Sequence, residues 1–333
     1  MREECFRSGR AARRMLSILA GAAMAMSANL RADPPGLKPG LPGQARVPAE
    51  PEDPAVRARI LADVRSVQPG KPFRLGVLLE MKPGWHVYWK NPGDAGLATS
   101  VEFVLPKGFS AGPLHWPIPE RFEQAGNITS FGYEKSVLLW AQITPPRKIR
   151  RGGEVRIGAR ASWLGCKVQC VPGEAELELE LAVREDAEAD NAGLFARWQR
   201  RLPCKVGSAE AGVAVRVGGS VPTTPKWHTI RIELAWQGRV PSKVEWFPGY
   251  VRGLELGKPS IRAAGRKTEI SVPARAMPGQ EPSARTLGSL VAYSHGDGAR
   301  RAVEVVVPLD RPGGKPARDP SPKTDSPGRS PPR

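Results

Sequence analysis

Trp163-Leu164-Gly165-Cys166-Lys167-Val168-Gln169-Cys170-Val171-Pro172-Gly173 is the stretch whose reading decides the fold. Upstream, Glu154-Val155-Arg156-Ile157-Gly158-Ala159-Arg160-Ala161 alternates roughly in and out. Downstream, Glu174-Ala175-Glu176-Leu177-Glu178-Leu179-Glu180-Leu181 alternates without a break. A period of two marks a half-buried strand, so both flanks read as β-strands and the cysteines sit where they join. Along one straight strand, residues i and i+4 lie roughly 13 Å apart. A disulfide needs Cα atoms within about 7 Å. Either the chain turns between Cys166 and Cys170, or the two never pair. A bend at the junction permits pairing and leaves the sulfurs near the surface.

Three chemistries suit such a pair. As a redox dithiol it would gain from Lys167, whose charge favours a thiolate. As a structural staple it closes a very small ring, worth only about 2 kcal/mol in the chain-entropy model. As a closed metal site it would need four ligands, commonly in two clustered pairs. There is no second cysteine pair, and His86, His115, His228 and His295 are not at ligand spacing from one another. No metal and no cofactor is therefore expected. The redox and structural readings both stay open at this point.

The leader bears on the compartment. Arg13 and Arg14 precede the apolar run Met15–Met26, and small residues follow, with cleavage expected after Ala28 or Ala32. Residues 1–32 thus read as a signal peptide, the run being too short for a membrane span. Cys5 goes with the leader, leaving Cys166, Cys170 and Cys204, with Cys204 unpaired. Disulfides persist in oxidising compartments, and a periplasmic location is expected. The chain is basic, at +17. The charge can attract anionic surfaces or acidic partners. No nucleic-acid-binding motif is present, and export argues against that role. No later segment approaches eighteen apolar residues, so membrane association is expected only through a partner.

The organisation follows from texture. Residues 33–54 are a Pro/Gly-rich linker. Residues 55–183 hold short strands at Arg57–Asp63, Phe73–Met81, Trp85–Trp89, Val101–Leu105 and Ser136–Ile143, closed by the cysteine hairpin. Short strands at such spacing predict a β-sandwich. Residues 184–210 form a linker with a short helix over 192–202, stopped by Pro203. Residues 211–310 read as a second sandwich: 213–217, 229–236, 243–247, 267–272 and a final hairpin of 289–293 and 302–307. Residues 311–333, rich in Pro, Lys, Arg and Ser, read as a disordered basic tail.

Three stretches, in this order and approximate spacing, carry a family resemblance. They are Pro83-Gly84-Trp85-His86-Val87-Tyr88-Trp89-Lys90-Asn91-Pro92-Gly93-Asp94-Ala95-Gly96-Leu97, then Phe131-Gly132-Tyr133-Glu134, then Trp163–Gly173. They resemble the periplasmic N-terminal domain of the thiol:disulfide interchange protein DsbD family, in its longer ScsB-like version with two sandwiches. The likeness spans roughly residues 55–309, strongly in the first sandwich and loosely in the second. It implies an all-β protein: an immunoglobulin-like β-sandwich with a redox cysteine pair, followed by a second β-sandwich. It also implies that Cys166 and Cys170 relay electrons, with Cys170 making the mixed disulfide by thiolate attack on a disulfide sulfur. A loop bearing an aromatic shields the pair in this family, and the matching stretch is Asn127–Glu134, where Phe131 or Tyr133 would cover the sulfur. Glu134, Tyr88 and His86 would tune or orient the thiols.

The family continues into a multi-span membrane domain and a thioredoxin-like domain, which the residues here do not match. The implied partners are therefore a membrane thiol-reductant module on another polypeptide and thioredoxin-like exported proteins. Cytochrome c biogenesis and copper tolerance are the processes that the family suggests. The expected function is protein-disulfide reduction, passing reducing equivalents from a membrane donor to periplasmic substrates. Two rivals remain: a non-enzymatic adaptor of the same fold with a structural disulfide, and a copper-handling protein using Cys166, Cys170 and Met81 or His86, since soft thiolates suit Cu(I).

Overall fold

Period-two patterning dominates the chain, and the computed structural model is correspondingly almost all strand. It describes residues 54–310 apart from Ala125, Gly219, Ser220 and Asp297. The expected leader, the tail and all of the linker except Pro54 lie outside the described residues. No helix among the described residues is long and apolar enough to cross a membrane.

Eleven strands build the first part: β1 (Val56–Ala62), β2 (Ser66–Val67), β3 (Phe73–Met81), β4 (His86–Gly93), β5 (Ser100–Val104), β6 (Ser110–Ala111), β7 (Glu120–Gln124), β8 (Ile128–Glu134), β9 (Ser136–Thr144), β10 (Glu154–Cys166) and β11 (Cys170–Val183). One sheet runs β1-β3-β9-β6; the other runs β2-β11-β10-β4-β8-β7. The far edge of β10 is shared. β5 pairs with it over Gly158–Ser162, and β4 takes over at Gly165 and Cys166.

The β10–β11 hairpin is longer than its alternation suggests, running in register from Glu154↔Ala182 to Cys166↔Cys170. On β10, Ile157, Ala159, Ala161 and Trp163 are buried, while Arg156, Arg160 and Ser162 face out. The outward arginines meet the glutamates opposite them, Arg156 with Glu180 at 2.7 Å and Arg160 with Glu176 at 3.3 Å. Opposite charges directly across a ladder favour this register. A slip by one residue would turn the apolar set outward. Ala159, Ala161 and Trp163 join Val77, Leu79, Val87 and Leu139 in the core, and Ile157 packs with Phe73, Leu75 and Ile143.

The helix α1 (Ala192–Gln199) buries Phe195 and Trp198 in that same core. It ends at Gln199, short of the expected 202, and turn hydrogen bonds from Arg201 and Leu202 carry the chain to Pro203.

Ten more strands follow: β12 (Cys204–Lys205), β13 (Val213–Val217), β14 (Val221–Pro222), β15 (His228–Trp236), β16 (Lys243–Pro248), β17 (Leu254–Leu256), β18 (Ser260–Ala264), β19 (Lys267–Ala276), β20 (Thr286–Ser294) and β21 (Arg300–Asp310). They form the sheets β12-β21-β20-β16, with β14 also on β21, and β13-β15-β19-β17, with β18 also on β19. Ile230, Ile232, Leu234, Ile270, Val272, Val303, Val305 and Val307 fill the space between them.

The two pairs of sheets belong to one compact unit. Phe247 of β16 lies 5.2 Å from Phe131 and 6.4 Å from Trp89, edge to face. Arg300 sits over the Phe247 ring, pairs with Glu245 at 2.9 Å and donates to the Pro119 carbonyl.

One stretch differs from its sequence reading. Residues 127–134, expected as a shielding loop, are mostly strand β8, hydrogen-bonded to β4 on one side and β7 on the other. The cause is its own pattern: Ile128, Thr129, Phe131 and Tyr133 are β-formers, and the turn lies earlier, where Gly126 and Asn127 take positive φ of 83° and 59°.

Candidate functional site

A hairpin end brings the cysteines together. Cys166 closes β10, Cys170 opens β11, and Lys167, Val168 and Gln169 connect them. The pair is a disulfide with Cα atoms 4.1 Å apart. The two sulfurs differ in environment: Cys166 is 2 % exposed, whereas Cys170 is open to solvent. The expectation of two surface sulfurs thus holds for one. Val168 at the tip is 93 % exposed and Val171 is also exposed.

Strand register places two expected residues beside the pair. Glu134, His86, Cys166 and Cys170 stand opposite one another in a single row across β8, β4, β10 and β11. Directly opposed residues share a face of the sheet. Tyr88, two residues along β4 from His86, donates its hydroxyl hydrogen bond to Cys166 Sγ at 3.2 Å and lies 3.9 Å from Cys170 Sγ. Burial raises the Tyr88 phenol pKa, countered in part by a hydrogen bond with Gln124. The phenol is therefore a donor, not an anion, at neutral pH. His86 is 7 % exposed and its Nε2 has no hydrogen-bond partner. Burial lowers its pKa, and the nearby Glu134 carboxylate opposes that shift.

Phe131 and Tyr133 are placed differently. Phe131 packs on Phe247, and the buried Tyr133 donates to the Pro117 carbonyl at 2.8 Å. Burial holds the Tyr133 phenol well above its usual range. The aromatic that reaches the row is instead Phe122 of β7, stacked on His86 at 4.7 Å, with Tyr88 edge-on at 5.2 Å. Sequence reasoning missed Phe122 and Gln124. A signal was present: Glu120-Arg121-Phe122-Glu123-Gln124 ahead of a Gly-Asn turn has the form of a hairpin strand, with residues 122 and 124 on one face. Lys167 is exposed, and its side chain passes Gly84.

Cys204 is the free cysteine among the described residues, half-buried in β12. No group of three or more His, Cys, Asp or Glu among the described residues is placed to hold a metal ion.

Fold and site together define an immunoglobulin-like sandwich with a disulfide at one hairpin end, one sulfur open and the other buried under a tyrosine hydroxyl. Residues 56–182 match the family described as thiol:disulfide interchange protein DsbD, N-terminal, and form a DsbD N-terminal-like domain. Among solved structures, the N-terminal periplasmic domain of ScsB from Proteus mirabilis is similar at 20 % identity and a TM-score of 0.57. That match covers 79 % of this chain and 97 % of the other. The likeness shows the shared fold, the second pair of sheets included. The major pilin subunit BcpA of Bacillus cereus, at 10 % identity and a TM-score of 0.25 over 76 % of this chain and 67 % of that one, is too distant to carry an argument. No curated protein matches the sequence.

Proposed function

We propose that the chain is a thiol:disulfide interchange protein of the bacterial periplasm, cycling Cys166–Cys170 between disulfide and dithiol. The observation that carries this reading is the asymmetry of the pair: Cys170 exposed, Cys166 buried with the Tyr88 hydroxyl at 3.2 Å.

This asymmetry supports a division of roles between the two sulfurs. A donor thiolate attacks the accessible Cys170 Sγ, a bond forms between donor sulfur and Cys170, and the Cys166–Cys170 bond breaks. The electron pair leaves on Cys166 Sγ, where the Tyr88 hydroxyl stabilises the new thiolate. Hydrogen bonds to charged acceptors are roughly twice as strong as neutral ones. The donor's second thiol then attacks its own mixed-disulfide sulfur, releasing Cys170 and leaving the donor oxidised. Two protons from water complete the dithiol. Running the same steps in reverse against a substrate disulfide passes the electron pair on.

The direction of flow, from a membrane-held thiol donor to thioredoxin-like or other exported proteins, rests on the family likeness of residues 56–182. In this reading, residues 55–183 carry the chemistry, and Glu134 and His86 set the electrostatics around the buried sulfur. Phe122 and Gln124 of β7 hold His86 and Tyr88 in place beside the pair, with Phe131 and Tyr133 supporting that hairpin from the core.

The test is the reduction potential of the pair, by equilibration with glutathione or dithiothreitol and trapping of free thiols. A value of roughly −180 to −270 mV is expected, as for thiol carriers. A value below about −300 mV would leave a structural disulfide on a binding module. In a Cys166→Ala variant, Cys170 should trap a mixed disulfide with thioredoxin, and Cys166 in Cys170→Ala should not.

A further inference from the structure

Asn91-Pro92-Gly93-Asp94-Ala95-Gly96 runs from the end of the site strand β4 into the loop beyond it and has no part in the chemistry above. β4 pairs regularly with β8 from His86↔Glu134 to Tyr88↔Gly132, then breaks register, resuming only at Gly93↔Ser130. Trp89–Pro92 therefore bulge opposite Phe131 alone. Bulges re-aim side chains beside functional sites.

The bulge is fastened at both ends. Asn91 is buried, 8 % exposed. Its amide donates to the Pro248 carbonyl of the second sandwich at 2.8 Å. Its Oδ1 accepts from the Gly93 N–H at 3.2 Å. Beyond it, Asp94 and Thr129 exchange two hydrogen bonds, each 2.8 Å, tying the loop to β8. Trp89, the first residue of the bulge, and Phe131, opposite it on β8, both meet Phe247 of the second sandwich.

The loop then returns onto the site. Gly96 has φ +105°, and a Cβ there would stand 2.3 Å from Tyr88 Cε1 and 2.4 Å from Cζ, the carbon that bears the hydroxyl. Only glycine takes this backbone conformation easily and lies so close to a ring. Thr99, three residues on, donates to the Tyr88 carbonyl at 2.7 Å. The phenol is thus held between this loop and the two sulfurs.

We propose that the Asn91–Gly96 loop is a positioning device through which the second sandwich sets the Tyr88–Cys166 hydrogen bond, and with it the ease with which the disulfide is reduced. Asn91 and Gly96 act through Tyr88 and touch neither sulfur, so they are positioning residues. The second sandwich then has a role: it anchors one end of a lever whose other end is the reacting pair. The proposal deepens the redox reading and rests on it.

A double-mutant cycle on the full chain tests it. The thiol–disulfide equilibrium constant against glutathione is measured for wild type, Gly96→Ala and Asn91→Ser, and for each of these combined with Tyr88→Phe. Two glutathione thiolates reduce the pair and leave as glutathione disulfide, so the constant reports the protein couple alone. Tyr88→Phe should disfavour reduction about tenfold, or about 30 mV for a two-electron couple. Gly96→Ala should reproduce most of that tenfold loss, and Asn91→Ser should disfavour reduction by about threefold. Neither should add a further change in the Tyr88→Phe background, where coupled residues cease to be additive.

Effects that persist undiminished with Tyr88→Phe would overturn the proposal, as would wild-type constants in both variants. Far-UV circular dichroism checks folding. Should Gly96→Ala not fold, Asn91→Ser together with Phe247→Leu carries the same cycle from the second sandwich. A wild-type pair unable to exchange with thioredoxin sinks the redox reading while the cycle remains readable. An additive cycle on an exchanging pair sinks only the positioning role.

Discussion

Replacing Gly132 with alanine separates a strand from a loop. A Cβ at this position would stand 2.1 Å from the Val87 carbonyl oxygen, 3.0 Å from the Val87 carbonyl carbon and 3.1 Å from Tyr88 Cα, all backbone atoms of β4. Real Cβ contacts stay beyond 3.0 Å. Strands β4 and β8 would therefore have to part by about 1 Å from their usual spacing near 4.8 Å. Ladder bonds near 2.9 Å would lengthen to about 3.9 Å, past the range in which they count. The affected pairs are Val87↔Tyr133 and Tyr88↔Gly132, with His86↔Glu134 beside them. Two or three net hydrogen bonds at about 1 kcal/mol each give a loss of about 2–3 kcal/mol.

Urea unfolding followed by tryptophan fluorescence reads this directly, and with slopes of about 1–3 kcal/mol/M the midpoint should fall by about 1 M or more. Phe131→Ala, removing a buried ring stacked edge-on to Phe247, should cost about 3–5 kcal/mol in the same assay. Unchanged midpoints in both variants, together with faster reduction of the disulfide in Phe131→Ala, would refute the strand argument. That outcome would mean 127–134 is a mobile cover whose aromatic shields the sulfur.

Three further outcomes are expected. Because burial depresses the His86 pKa, the imidazole adds stability in full above its ordinary pKa of about 6.5. That contribution falls as pH drops below 6.5, since the unfolded chain takes up a proton that the folded site resists, at a slope of up to about 1.4 kcal/mol per pH unit. The difference in unfolding free energy between wild type and His86→Phe should therefore shrink from pH 7.5 to pH 5.5. A difference that grows would mean that Glu134 dominates and the imidazole is charged in the fold. Cys204, whose thiol pKa is raised by burial and then by Glu210, should alkylate with iodoacetamide more slowly at pH 8 than a free cysteine peptide, and equal rates would contradict its half-buried setting. Arg160→Ala should change stability by about 0.5 kcal/mol or less, because both Arg160 and Glu176 are mostly exposed. A larger loss by thermal unfolding would make the charged face of the hairpin a stabilising network.

The hairpin around the cysteines was legible because its evidence is local. Glutamates at every second position from 174 to 180 leave one face for water and one for the core, and Ile157 to Trp163 answer them across the turn. The second sandwich was legible for the same reason: His228–Trp236 and Lys267–Ala276 alternate cleanly in burial. The stretch 127–134 was harder, because glycines and aromatics suit a loop and a strand equally. Its state was decided by β4 and β7, which satisfy its backbone from either side. Likewise, β17 and β18 show no alternation in burial and form by pairing with β19.

The sequence by itself determined the all-β class, the two strands that meet at Cys166 and Cys170, and the family likeness of the first sandwich; the turn that lets the two cysteines pair was seen in the structure. Periodicity and short-range closure require no knowledge of distant residues. Only the tertiary structure decided which sulfur is buried, since that depends on β4 joining β10 at its last two residues. It alone decided that Tyr88 reaches the pair and Phe122 stacks on His86 beside it, while Phe131 and Tyr133 pack elsewhere, because a side chain's face depends on which strands flank its own. And it alone tied Asn91 to Pro248, a contact between residues 157 positions apart that no local pattern encodes.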